Sequence, residues 1–164
     1  MINERTLRIA RVILRVALAS AFLAAVADRL GLLGPYGSRN VSWGDWKHFE
    51  GYVADLNWFV PKGLIPALST VETVIEAALG LGLLAGFYPR IVAWSSAALL
   101  GSFALTMTIA LGVLAPLGYG VFTAVSAALV LGAIAAPHTV VVPEAVTDSK
   151  PRSRLSMLTD VLKM

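Results

Sequence analysis

TVETVIEAALGLGLLAG, residues 70–86, is the stretch whose reading decides the fold. Its apolar length suits a helix crossing a hydrocarbon core, which takes about 20 residues. Yet Glu72 and Glu76 stand one helical turn apart on a single face. Carboxylates at membrane depth face protein or water rather than lipid. The segment therefore predicts both a membrane helix and a polar interior for it to pack against.

Three further stretches have the same character, and together they predict spans at 9–33, 63–87, 91–114 and 117–136. The expected fold class is all-α, an integral membrane four-helix bundle over 1–136 followed by a cytoplasmic tail, 137–164. Composition agrees: of 164 residues 57% are hydrophobic and 14% charged, more apolar surface than one small soluble core would hide. Arg5, Arg8 and Arg11 ahead of an apolar run look like the start of a secretory signal. Apolar residues then continue to Val26 with no polar mature start, so the segment is expected to stay as a helix. Stripes of small residues, Ala78, Gly82 and Gly86 in one span and Ala124, Ala128 and Gly132 in another, predict close helix approach.

Charge placement sets the expected orientation and excludes one class of partner. Nine lysines and arginines fall in residues 1–15, the GFYPR turn at 86–90 and the tail; Arg29, Arg39, Lys47 and Lys62 fall on the other side. This bias predicts a multi-pass inner-membrane protein with both termini cytoplasmic. The net charge of +3 does not form a basic, aromatic-studded face, so nucleic acid is excluded as a partner. The chain contains no cysteine, which removes thiol catalysis, disulfides and thiolate-bound clusters. No metal site is expected. A redox role would need a borrowed cofactor or a partner.

Residues 34–62 are too long for a turn and are rich in aromatics. Ser42 and Asp45 have capping-box spacing, and Trp46, Phe49, Val53 and Leu56 recur at helical intervals, predicting a short amphipathic helix over 43–56 with Ser42 as its N-cap. An interfacial aromatic belt explains such a loop. A lid over a ligand site, built on Trp43, Asp45 and Trp46, is the alternative.

The ionisable residues within the spans are Arg15, Asp28, Arg29, Glu72 and Glu76. At roughly 1.5 Å per residue Glu72 lies about 12–14 Å below the outer edge and Glu76 about 6 Å deeper. That places Glu72 near Arg29 and Asp28, and Glu76 near Arg15, predicting ion pairs at two depths. Such pairs either hold helices in register or supply a carboxylate that relays a proton or holds a polar head group. Met107, between Thr106 and Thr108, is a further ligand-contact candidate. Haem is disfavoured, because His48 and His138 fall on opposite sides of the membrane and cannot ligate one iron.

The motifs AVADRLGLLG, VSWGDWKHFEGY, TVIEAALGLGLLAGFYPRIVAW and FALTMT, in this order over about 9–136, resemble the DoxX family of small four-helix membrane proteins. The resemblance marks Asp28, Arg29, Trp43, Asp45, Trp46, Glu76 and Gly80 as family-like positions. It implies association with quinone-linked oxidoreductase complexes, in a family of mixed function with no agreed catalytic residue. The function expected from these readings is an accessory or quinone-binding subunit of a membrane oxidoreductase system. Two others stand beside it: a non-catalytic scaffold or assembly factor, and a proton-coupled carrier of a small lipophilic molecule. The partners expected are the lipid bilayer, a membrane or redox protein, and a second copy of the chain.

Overall fold

The structure is a computed structural model that describes residues 3–135. The expected tail, with His138, lies outside the described residues. Six helices and no strand occur among the described residues: α1 (Glu4–Arg29), α2 (Trp46–Leu56), α3 (Ile65–Ala85), α4 (Pro89–Leu111), α5 (Leu114–Gly118) and α6 (Val121–Ile134). A single 3-10 turn, Lys62–Leu64, leads into α3.

The helix ends have local causes. The Asn3 side chain accepts the Arg5 amide at the start of α1. At its other end the Gly31 amide donates to the Asp28 carbonyl and the Leu32 amide to the Ala27 carbonyl, both at 2.9 Å. This pair of hydrogen bonds around a left-handed Gly31, φ 75°, is a Schellman motif, and it stops α1 at Arg29 where the apolar pattern predicted continuation to 33. Pro66 and Pro89 sit in the first turns of α3 and α4, where their missing amides cost nothing.

The helix α1 packs along α3, and α4 along α6; α1 also meets α6, and α3 meets α4. Their shared core contains Leu18, Ala19 and Phe22 of α1, Leu83 of α3, Ala93 and Ala97 of α4, and Ala128 and Leu131 of α6. The α6 stripe makes a close approach as its spacing predicted, with Ala128 buried and Gly132 against Trp94, whereas in α3 Ala78 is exposed and the close approach falls at Gly80, outside the predicted stripe. A Cβ on Gly80 would stand 2.9 Å from Leu23 Cγ, so α1 and α3 touch there through a missing side chain.

Three of the four expected spans are long and apolar enough to cross a membrane: α1, α3 with its leading turn, and α4. Their outward faces carry Ile9, Val12, Ile13, Val71, Val74 and Ile109, all exposed as lipid-facing residues would be. The stretch 117–136 differs from expectation. The helix breaks at Gly118–Gly120, and α6 holds 14 residues, about 21 Å at 1.5 Å per residue against a core of about 30 Å. Four full-length spans are therefore not what the described residues contain.

The helix α2 lies across the end of the bundle, touching α3, α4 and α1. Phe49 and Val53 are buried against Ile65, flanked by Trp43, Trp46 and Leu68. This end is termed the loop end. The first half of α1 and the α3–α4 turn form the far end.

Candidate functional site

The site is built where α1 stops. Asp28, last but one in α1, turns its carboxylate toward the incoming loop and accepts the amides of Ser42, Trp43 and Gly44 at 2.8, 3.3 and 3.0 Å. A buried carboxylate taking three backbone donors is a strong tether. It also corrects the expected cap of α2. Ser42 is spent on Asp28 through its amide, and Asp45 is the N-cap, accepting the His48 amide at 2.9 Å, so the helix begins at Trp46. Gly44 makes the tether feasible. Its φ is +67°, and a Cβ there would run into the backbone of Pro35 and Tyr36.

Arg29 is 1% exposed, and each of its three side-chain nitrogens has a partner. Its Nε donates to the Ala25 carbonyl at 3.2 Å, Nη1 to Thr73 Oγ1 at 3.0 Å, and Nη2 lies 2.6 Å from Glu76 Oε2. Thr73 passes the chain on, donating to the Ser69 carbonyl at 2.8 Å. The guanidinium carbon stands 3.9 Å from the Phe49 ring centroid and 5.2 Å from that of Trp43, in cation–π range. The Glu76 oxygen that meets Arg29 is an ion-pair partner by distance but accepts no aligned hydrogen bond.

The expected pairings were Glu76 with Arg15 and Glu72 with Arg29; the observed pair is Glu76 with Arg29. The Arg29 side chain folds back along α1, its Nε on the Ala25 carbonyl one turn earlier, and so meets α3 one turn further along than the depth arithmetic allowed. Arg15 goes to the far end, where it donates to the carbonyls of Leu83 and Leu84 at 2.8 and 3.0 Å. There it caps α3 as a cation at a helix carboxyl end.

Between α2 and the bundle lies a cavity of about 600 Å³, within the range of small-molecule sites. Glu76 and Arg29 form part of its floor, with Ala25 and Leu100. Trp43, Phe49, Tyr52, Phe103, Met107 and Tyr119 supply its apolar and aromatic walls. Glu72 lines it too, half-buried, with no hydrogen bond or ion pair to a described residue; Arg29 acts on it only through space. Lys47, His48 and Asp55 are exposed where they meet the cavity.

Of the lid candidates, Trp43 lines the cavity, Asp45 caps α2, and Trp46 packs on Phe49 and donates its indole N–H to Glu50 at 2.8 Å. His48 stacks on Tyr36, ring centroids 3.8 Å apart, and its Nδ1 meets Asp45 Oδ2 at 2.8 Å. The His48 amide, then its ring, hold the Asp45 carboxyl below its ordinary range. Burial pushes the Tyr52 phenol up to about 12, with smaller contributions from Tyr119 and Glu72 nearby.

Sequence reasoning missed Thr73, Tyr52, Phe103 and Tyr119. Thr73 and Phe103 left a signal, standing one helical turn from Glu76 and from Met107 on the same faces. Tyr52 and Tyr119 left none, since the two reach the cavity from α2 and from the break before α6.

Fold and site together define a multi-pass helical membrane protein with a charged, aromatic-walled cavity at one end. The chain belongs to the MauE family, described as methylamine utilisation protein MauE, whose profile matches residues 7–116, from the first turns of α1 to Pro116 in α5. No curated protein and no solved structure matched. The family assignment overturns the DoxX resemblance, for which no match was found. The motifs behind that resemblance have general physical roles here: a helix stop at Gly31, an amide-binding Asp28, an inward Glu76 and a close-approach Gly80. Letters that serve such roles recur wherever helices must pack this way, and they do not separate one family from another.

Proposed function

We propose that the protein is an accessory membrane component of methylamine utilisation, seated beside the oxidoreductase system of that process, and that its own part is to hold a small molecule in the loop-end cavity. The observation that carries the ligand site is the combination of space and an unengaged acid. Arg29 and Glu76 alone would suit a scaffold, because their pairing locks α1 to α3 and needs no volume beside it. Glu72 is different, facing about 600 Å³ of open cavity with no hydrogen bond or ion pair to a described residue. The family name supports the process. Oxidation of methylamine at its carbon takes an electron acceptor, and a cysteine-free chain leaves thiol redox steps to a partner.

In this reading the far end, which gathers Arg5, Arg8, Arg11, Arg15 and Arg90, faces the cytoplasm, and the cavity opens on the opposite side of the plasma membrane. The break at Gly118–Gly120 and α6 belong to a fourth crossing. Purification of the full chain in mild detergent, followed by mass-spectrometric inventory of small molecules and proteins, tests the proposal. A stoichiometric small molecule that disappears in Glu72→Gln, together with an oxidoreductase subunit, is the expected result. A quinone would be recognised by its mass as a neutral occupant of the same cavity. A protein complex with no small molecule in the wild-type preparation would overturn the ligand role and leave the scaffold.

A further inference from the structure

We infer that the loop-end cavity takes an organic cation, a protonated or quaternary amine with an apolar body, and that Glu72 is its counter-charge. The inference deepens the ligand-site reading above and rests on it. The charge inventory of the walls is its first ground. Arg29 is a poor anchor for an anion: Glu76 already balances its charge at 2.6 Å, each of its three nitrogens has a partner, and one face of its guanidinium is covered by Phe49. Glu76 is charge-balanced in turn, its Oε2 lying against Arg29 Nη2. Lys47 and Asp55, of opposite sign, stand exposed at the rim, where water screens both. Among the described residues that line the cavity, Glu72 is the charge left inside with no hydrogen bond or ion pair.

The second ground is the walls themselves. Trp43, Tyr52, Phe103 and Tyr119 come from the loop, α2, α4 and the break before α6, so aromatic groups face the cavity from several directions. Ring faces attract ammonium groups, most strongly where water is excluded. A carboxylate within an aromatic enclosure satisfies both parts of such a ligand: the acid meets the charge, and the rings meet the carbons around it. Met107, 5% exposed, adds a polarisable apolar contact. The volume admits a body well beyond a single methyl group.

The test uses the full chain in detergent micelles and calorimetric titration with three probes of similar shape. Benzyltrimethylammonium is the cation, neopentylbenzene its neutral isostere, and phenylmethanesulfonate the anion. Saturable binding of the cation, with the other two weaker by about tenfold or more, is expected, the scale of one charge-assisted contact. Glu72→Gln should weaken the cation by about the same factor and leave the neutral probe unchanged, while Glu72→Asp retains cation preference. Phe103→Leu, which keeps an apolar wall, should weaken the cation several-fold and the neutral probe little, providing a second reading if Glu72→Gln fails to fold. Equal binding of cation and neutral probe would overturn the cation assignment while leaving a ligand site in place. Preference for the anion, or no binding of any probe, would overturn it as well, and the co-purification inventory would then judge the ligand site separately.

Discussion

Arg15 and Arg29 are long cations on the same helix, and they do unlike work at its two ends. At the far end Arg15 reaches across to α3 and closes it, donating to two carbonyls beside Gly86. At the loop end Arg29 meets an acid, a hydroxyl, a carbonyl and two rings, and stands beside an open cavity. A charge inside this membrane protein is thus not by itself the mark of a site. Arg15 serves a helix terminus, and nothing about it calls for a ligand. What sets the loop end apart is that its charges exceed what pairing consumes, with space left beside the remainder.

The largest effect should come from cutting that comparison at Arg29. Arg29→Met leaves Glu76 buried without its partner, and a loss of about 3–5 kcal/mol in thermal unfolding in detergent is expected. Arg29→Met with Glu76→Leu should recover most of it, since an apolar pair replaces a charged one at little net cost. Arg15→Met should cost only about 0.5–1 kcal/mol, the scale of a cation at a helix end. Equal losses for the two arginines would erase the distinction between the ends.

A smaller effect separates the two aspartates of the loop end. Asp28→Ala strips three amides of their acceptor, and a loss of roughly 2–3 kcal/mol is expected, with faster hydrogen exchange at Ser42, Trp43 and Gly44. Asp45→Ala removes the cap of α2 and the contact with the His48 ring, and should leave those three amides protected. Faster exchange at Gly44 in the Asp45 variant would show that the cap, not Asp28, holds the loop.

The smallest effect is a titration. Tyr52 should ionise near pH 12 rather than 10, read from phenolate absorbance by difference against Tyr52→Phe. Because the folded value is the raised one, the neutral phenol's contribution to stability is complete below about pH 10 and is lost as pH rises through 12. Ionisation of Tyr52 near 10 would place its ring in water and α2 away from the cavity.

Much of this was legible from the residues. The apolar runs announced membrane helices, the two glutamates announced a polar interior, the small-residue stripes announced close packing, and the aromatic spacing announced α2. Each is a property of one segment against water or lipid, which a periodic pattern reports directly. The helix expected over 117–136 is shorter than expected for a related reason: an apolar run has the hydropathy of a helix whether or not Gly118–Gly120 breaks it. The family resemblance misled because its motifs encode shared packing needs.

Sequence by itself thus determined that the chain is helical and membrane-bound, that α3 turns Glu76 inward, and that an amphipathic helix joins α1 to α3. Tertiary structure alone decided that Arg29 rather than Arg15 meets Glu76, that Asp28 holds the loop by its amides, and that Glu72 is left facing a cavity. The physical reason is axial offset. Helical periodicity says which face a side chain occupies, but its partner depends on how far one helix has slid along another and on which way a long side chain turns; here α1 and α3 meet closely at Leu23 and Gly80, and Arg29 turns back to the Ala25 carbonyl to reach Glu76.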